Sequence, residues 1–205
     1  MADLPLRELA VKGAGHLFAI FLSGDGGFVA LDRRVSAELN RRGIPVVGYS
    51  QLRYLWRAKT PDREGADLGR IIAAYADKWR RDSVLVIGYS RGAGTAPYAV
   101  NRLPPAQRAH VAALVLIGAE HTAGFHFGLR DIFRHGNAPD EVPVMPELRK
   151  LGALPLVCFY GDKERDTLCP ELAPPAVVVK LPGDHHFNGA YAEIGQRMAN
   201  VLGVR

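Results

Sequence analysis

The stretch Val84-Leu85-Val86-Ile87-Gly88-Tyr89-Ser90-Arg91-Gly92-Ala93-Gly94 constrains this chain more than any other. Its unbroken aliphatic start reads as a strand buried on both faces, the pattern of a parallel sheet. The strand runs straight into Gly-x-Ser-x-Gly, and a helical pattern begins directly after the serine. A serine in that place sits on a sharp strand-to-helix turn that lifts its hydroxyl above the sheet. Gly88 and Gly92 leave room for neighbouring backbone. The helix start turns its positive end toward an oxyanion forming at the serine. The five-residue match alone is weak; strand before and helix after give it weight. Ser90 is the expected nucleophile.

Five further apolar runs accompany it, so the strands fall at 17–22, 44–49, 84–89, 111–117, 154–160 and 176–181. Helical spacing occupies 29–42, 63–81, 92–102 and 190–202. Gly43 stands where a helix C-cap belongs, and Pro104-Pro105 stops the third helix. The βαβα order predicts an α/β fold: a mainly parallel sheet of six to seven strands flanked by helices. The segment 119–151, with Phe125, Phe127, Phe133, His121, His126 and His135, has weak periodicity and reads as a small insertion forming a lid or substrate wall.

At 205 residues the chain suits a single domain over 1–205. A hydrophobic share of 48% with 23% charged residues is that of a soluble globular protein. No apolar run approaches the roughly 20 residues of a membrane-spanning helix. The opening Met1-Ala2-Asp3-Leu4-Pro5 lacks the basic region and apolar core of a secretory leader, so the expectation is a cytoplasmic protein or one whose leader was removed. Net charge +5 favours anionic partners such as lipid headgroups or phosphorylated ligands. The arginines are scattered without an aromatic-interleaved basic stretch, so nucleic acid is not expected. The two cysteines, Cys158 and Cys169, make no metal site, and their spacing leaves both a disulfide and free thiols open.

A serine nucleophile needs a base, and the base an orienting acid. In a strand–serine–helix frame they follow in the order Ser, acid, His. The acid belongs to Gly161-Asp162-Lys163-Glu164-Arg165-Asp166-Thr167-Leu168-Cys169-Pro170. In the pattern Gly-x-x-Asp-x-x-x-Pro, counting forward from Gly161 selects Glu164, and counting back from Pro170 selects Asp166. Asp166 is preferred, with Glu164 and then Asp162 as alternates. The base belongs to Gly183-Asp184-His185-His186-Phe187-Asn188-Gly189, and His-x-Phe-x-Gly favours His185 over His186. His16, His110, His121, His126 and His135 lack such placement, although His121 and His126 could meet substrate. The oxyanion donors are expected to be the amides of Arg91 and of Asp25, in the loop Ser23-Gly24-Asp25-Gly26-Gly27. That loop lacks the lysine of a phosphate-binding loop and the spacing of a dinucleotide fingerprint, so no cofactor is expected.

Together these residues resemble the bacterial VirJ/AcvB virulence-protein family, within the α/β-hydrolase superfamily. The likeness lies in Leu22–Gly27, Pro45-Val46-Val47-Gly48, Leu52-Arg53-Tyr54-Leu55-Trp56 with Thr60-Pro61, and Ile87-Gly88-Tyr89-Ser90. It continues in Asn101-Arg102-Leu103-Pro104, Cys158-x-Tyr160-Gly161 with Glu164, Asp166 and Cys169, and Leu181-Pro182-Gly183 with His185-His186-Phe187. The resemblance implies an α/β-hydrolase domain in the periplasm, linked to type IV secretion and virulence. It further implies hydrolysis of an ester, aminoacylated (lysyl) phosphatidylglycerol in particular, with an anionic membrane surface or secretion-system proteins as partners. It also makes a Cys158–Cys169 disulfide the expectation. Members often carry Ser-Phe-Gly-Ala-Asp where this chain has Ser90-Arg91-Gly92-Ala93-Gly94, a departure that places a cation beside the nucleophile. A module that keeps the fold but only docks secretion components is the alternative reading.

Overall fold

A computed structural model describes residues 1–126 and 141–204. Its centre is a seven-stranded sheet in the order β1-β3-β2-β4-β5-β8-β9. The strands are β1 (Leu6–Leu9), β2 (Leu17–Leu22), β3 (Val46–Tyr49), β4 (Ser83–Tyr89), β5 (Val111–Ile117), β8 (Leu156–Gly161) and β9 (Val177–Leu181). All neighbours run parallel except β1, which pairs antiparallel with β3. The helices are α1 (Ala30–Arg41), α2 (Gln51–Tyr54), α3 (Pro61–Trp79), α4 (Arg91–Asn101), α5 (Pro105–Arg108), α6 (Met145–Arg149) and α7 (Tyr191–Val201). A two-stranded ribbon, β6 (Thr122–Ala123) with β7 (Val142–Pro143), stands beside the sheet.

The hydrophobic pattern explains the layering. Strands β2, β4 and β5 are apolar at successive positions because both faces are covered. On one face Ile20, Val86 and Leu114 pack with Leu68 and Ile72 of α3 and with Ala96 and Val100 of α4. On the other Phe21, Leu85, Ile87 and Phe159 meet Leu31 and Val35 of α1 and Ile194 and Met198 of α7. Each fully buried aliphatic or aromatic side chain of this kind contributes about 1.5–3 kcal/mol.

The edges depart from the expected pattern. Strand β1 carries Arg7 and Glu8 in only four residues, so it shows no apolar run; such short, charged strands suit a sheet edge. At the opposite edge Val177 and Val178 of β9 stay 41% and 36% exposed, so this apolar strand is not buried on both faces as expected. Of the insertion, the described part holds the ribbon and α6, while Phe127, Phe133 and His135 lie outside the described residues.

Helix α3 shows its boundaries in sequence. Thr60 accepts the Arg63 N–H at 3.2 Å, Pro61 opens the first turn, and Arg80 ends the helix in the left-handed region. Its apolar face then packs α3 beside α4, the helix that starts at the serine.

Candidate active site

The turn between β4 and α4 takes the shape that its glycines permit. Ser90 has φ 53° and ψ −119°, a conformation that costs a non-glycine residue on the order of 1–3 kcal/mol. Its N–H donates to the Ile117 carbonyl of β5 at 2.9 Å. A Cβ on Gly88 would stand 2.3 Å from the Gly92 carbonyl oxygen, and one on Gly92 would stand 2.2 Å from that of Leu22. Neither position admits a side chain. The strained serine thus sits at the carboxyl end of a central strand, on the first turn of α4.

The loop after β2 lies against it. A Cβ at Gly24 would meet the Ser90 Cβ at 3.2 Å, so a side chain there would crowd the serine. Ser23 fixes the loop: its hydroxyl donates to the Gly24 carbonyl at 3.1 Å and accepts the Gln51 N–H at 3.1 Å. Asp25 reaches across to the Arg91 guanidinium, which also donates to the carbonyls of Gly124 and His126, each at 3.3 Å. Arg91 therefore ties the elbow, the loop after β2 and the insertion together. The cation beside the serine carries its own carboxylate partner.

The base and acid loops follow β9 and β8. Their backbones pack without side chains between them, since a Cβ at Gly161 would lie 2.2 Å from the Asp184 carbonyl oxygen. Lys163 N–H donates to the Gly183 carbonyl, and the Asp162 carboxylate accepts the Gly183 N–H, both at 2.8 Å. That contact makes Asp162 a tie between the loops. His185 lands beside the elbow, its ring stacked on Tyr89 with centroids 5.3 Å apart. Its Nδ1 lies 2.5 Å from Glu164 Oε1, and the other Glu164 oxygen accepts the Gly161 N–H at 3.1 Å. The Glu164 side chain is 3% exposed. His186 points elsewhere, with Nδ1 3.1 Å from the Tyr89 hydroxyl.

Asp166, the preferred acid from sequence, is not the partner of His185. It lies 2.5 Å from His121 Nδ1, and Glu171 holds the other ring nitrogen at 2.7 Å, all three well exposed. The two spacings in the loop gave different answers. Counting back from Pro170 failed because that proline belongs to a short 3₁₀ turn, Cys169–Glu171, beyond the acid. The disulfide Cys158–Cys169, between residues 11 apart in sequence, closes this loop onto β8, so Glu164 lies inside the covalent ring.

Burial pulls the His185 pKa down, but the hydrogen bond and charge of Glu164, helped by Glu120 and Asp184, outweigh it and leave it above the ordinary 6.5. Glu120 went unnoticed in sequence. It follows β5 at the carboxyl edge of the sheet, where such folds gather functional groups, and that position was the available signal. Its pKa is raised, chiefly by burial, against the pull of His185. Among the described residues no group of three or more His, Cys, Asp or Glu side chains is placed to hold a metal ion.

A parallel sheet with a serine elbow and a histidine–carboxylate pair at its carboxyl edge defines an α/β-hydrolase fold. Solved structures agree. An esterase domain of a Rhodothermus marinus protein superposes with TM-score 0.63 at 16% identity, covering 96% of this chain and 91% of its own. The type II thioesterase BorB from the borrelidin biosynthetic cluster gives 0.63 at 15%, covering 97% and 96%. The esterase EaEST from Exiguobacterium antarcticum gives 0.66 at 12%, covering 97% and 94%. At such identities the likeness is one of fold. The chain belongs to the VirJ family, whose model, described as bacterial virulence protein (VirJ), matches residues 16–205. No curated protein sequence matches significantly.

Proposed function

We propose that the protein is a serine ester hydrolase whose triad is Ser90, His185 and Glu164. The observation that carries this reading is the His185–Glu164 contact, 2.5 Å and buried, beside the strained Ser90. His185 Nε2 takes the Ser90 proton as Oγ attacks the ester carbonyl carbon. Glu164 holds the imidazole by its Nδ1–H and balances the charge that imidazolium acquires. The amides of Arg91 and Asp25 receive the oxyanion. Collapse expels the alcohol with the proton from His185, and water, deprotonated by the same base, then releases the acid.

For substrate we propose an aminoacyl ester of phosphatidylglycerol, met in the periplasm by a protein of virulence-linked secretion. The family membership supports this, and so does the disulfide, which belongs to oxidising compartments. Glu120 adds a carboxyl near His185, suited to the ammonium of an aminoacyl group. Turnover of lysyl- and alanyl-phosphatidylglycerol and of p-nitrophenyl esters by wild type and Ser90→Ala tests the reading. Wild type should act on at least one of them, and Ser90→Ala should lose several orders of magnitude with its melting temperature kept. Equal turnover by the two proteins would refute it, and so would no turnover by either.

A further inference from the structure

A second group of charges lies outside the catalytic machinery. Residues 53–63 and the first residues of the chain enclose a surface pocket of about 600 Å³. Arg53, Arg57, Lys59 and Arg63 line it, with Tyr54 and Trp56 as aromatic walls. Two acids also line it, and both are committed. Asp67 accepts from the Tyr54 hydroxyl, from Arg63 and from Arg70, at 2.8–2.9 Å. Asp3 pairs with Arg70 at 2.8 Å. Among the described residues no carboxylate pairs with the side chains of Arg53, Arg57 or Lys59.

Lys59 is held in place. Lys59 Nζ stands 5.0 Å over the Tyr54 ring, and its backbone N–H donates to the Phe125 carbonyl at 2.9 Å. Three like charges within seven residues repel one another, and an anion seated among them relieves that repulsion. Arginine forks and a lysine ammonium are the groups that match phosphate oxygens. Trp56, half exposed beside them, adds the amphipathic ring typical of a membrane–water interface.

The pocket also opens on the same edge of the sheet as Ser90. It follows the carboxyl end of β3, two strand spacings or about 10 Å from β4. Leu52 at its border packs on Gly27 of the loop that touches Ser90.

We propose that this pocket binds the phosphate group of an anionic ligand, carried by a lipid headgroup or by a soluble phosphate ester. The site stands apart from the hydrolytic reading, since it uses no group of the triad. The full chain is tested in the Ser90→Ala background, so that binding is read without turnover. The probes are vesicles of 30% phosphatidylglycerol in phosphatidylcholine, and glycerol 3-phosphate followed by calorimetry. The variant Arg53→Gln/Arg57→Gln/Lys59→Gln is set against Lys12→Gln/Arg33→Gln/Arg34→Gln, which removes equal charge from exposed sites elsewhere. The pocket variant should lose vesicle affinity about a hundredfold, roughly fivefold for each cation, and the control less than tenfold. Binding of glycerol 3-phosphate that competes with vesicles assigns a soluble source, and vesicle binding alone assigns the lipid. Equal losses in the two variants overturn the proposal, as does binding of neither probe. All substituted side chains lie outside the core, and matching melting temperatures confirm intact folds.

Discussion

Two of the carboxylates in the loop after β8, Glu164 and Asp166, lie two residues apart, and each holds a histidine. Glu164 meets His185 at 2.5 Å with its side chain 3% exposed, whereas Asp166 meets His121 at the same distance with its side chain 59% exposed. The chemistry of the pairs is alike and the surroundings are not. Water screens the outer pair, so its contribution to stability is about 0–1 kcal/mol. The Glu164 carboxylate of the inner pair is shielded and braced by the Gly161 N–H, so less water weakens its pull on His185. Burial, not residue type, separates the carboxylate proposed for the triad from the surface one.

The largest expected effect separates the pairs directly. Glu164→Gln should lower kcat/KM for a p-nitrophenyl ester by about 10³–10⁴-fold, because the imidazole loses both its orientation and its counter-charge. Asp166→Asn should change it less than threefold. Equal losses in the two would erase the distinction.

Arg91 comes next. Arg91→Ala removes the tie between elbow, Asp25 and insertion and should cost about 10–100-fold in kcat/KM, less than the roughly 10²–10³-fold of deleting an oxyanion donor, because the backbone N–H remains. Arg91→Lys should recover only part, since a single ammonium lacks the planar fork that reaches Asp25 and the Gly124 and His126 carbonyls from separate nitrogens. A full recovery with lysine would reduce Arg91 to a charge.

Removing the disulfide tests whether the inner pair depends on the ring that carries it. Cys158→Ser/Cys169→Ser should lower the free energy of unfolding by about 3 kcal/mol for a loop of this length. Activity should fall with it, since Glu164 sits inside the ring. Urea unfolding and kcat/KM on the same samples give both readings.

The pH profile is the smaller sharpening. His185 acts only when deprotonated, and its pKa lies above the ordinary value, so the acid limb of kcat/KM should fall above pH 6.5 in wild type. In Glu164→Gln the residual activity should keep a limb at lower pH, because the raising charge is gone while burial still lowers it. A second buried carboxyl, Glu64 beneath α4, is pushed up to about 7 by burial, and Thr95 donates to it at 2.9 Å. Its folded pKa exceeds the ordinary 4.5, so it destabilises the fold as pH rises through that range. Glu64→Gln should match wild type near pH 4 and exceed it by up to about 3 kcal/mol at pH 8.

Much of this was legible in the chain. The central strands could be read because a strand covered on both faces has only apolar positions, and Ser90 because Gly88 and Gly92 tolerate no side chain. His185 could be read from its place after the last strand. The partner of His185 could not be settled, since Glu164 and Asp166 differ by two residues in an irregular loop. Which one turns inward depends on how Gly161 packs against Asp184, a contact between distant segments. Strand β1 was hidden by its charges, and Glu120 by the absence of any motif around it. Both are defined by neighbours in space, and local sequence carries no trace of those.

The proposed triad requires the His185–Glu164 pair to activate Ser90. Labelling by a fluorophosphonate, followed by intact mass and peptide mapping, tests it most directly. Wild type and Asp166→Asn should label once, at Ser90, at the same rate, and Glu164→Gln should label at least a hundredfold more slowly. No label at Ser90 in intact wild type, or slow labelling in Asp166→Asn with normal labelling in Glu164→Gln, would contradict it.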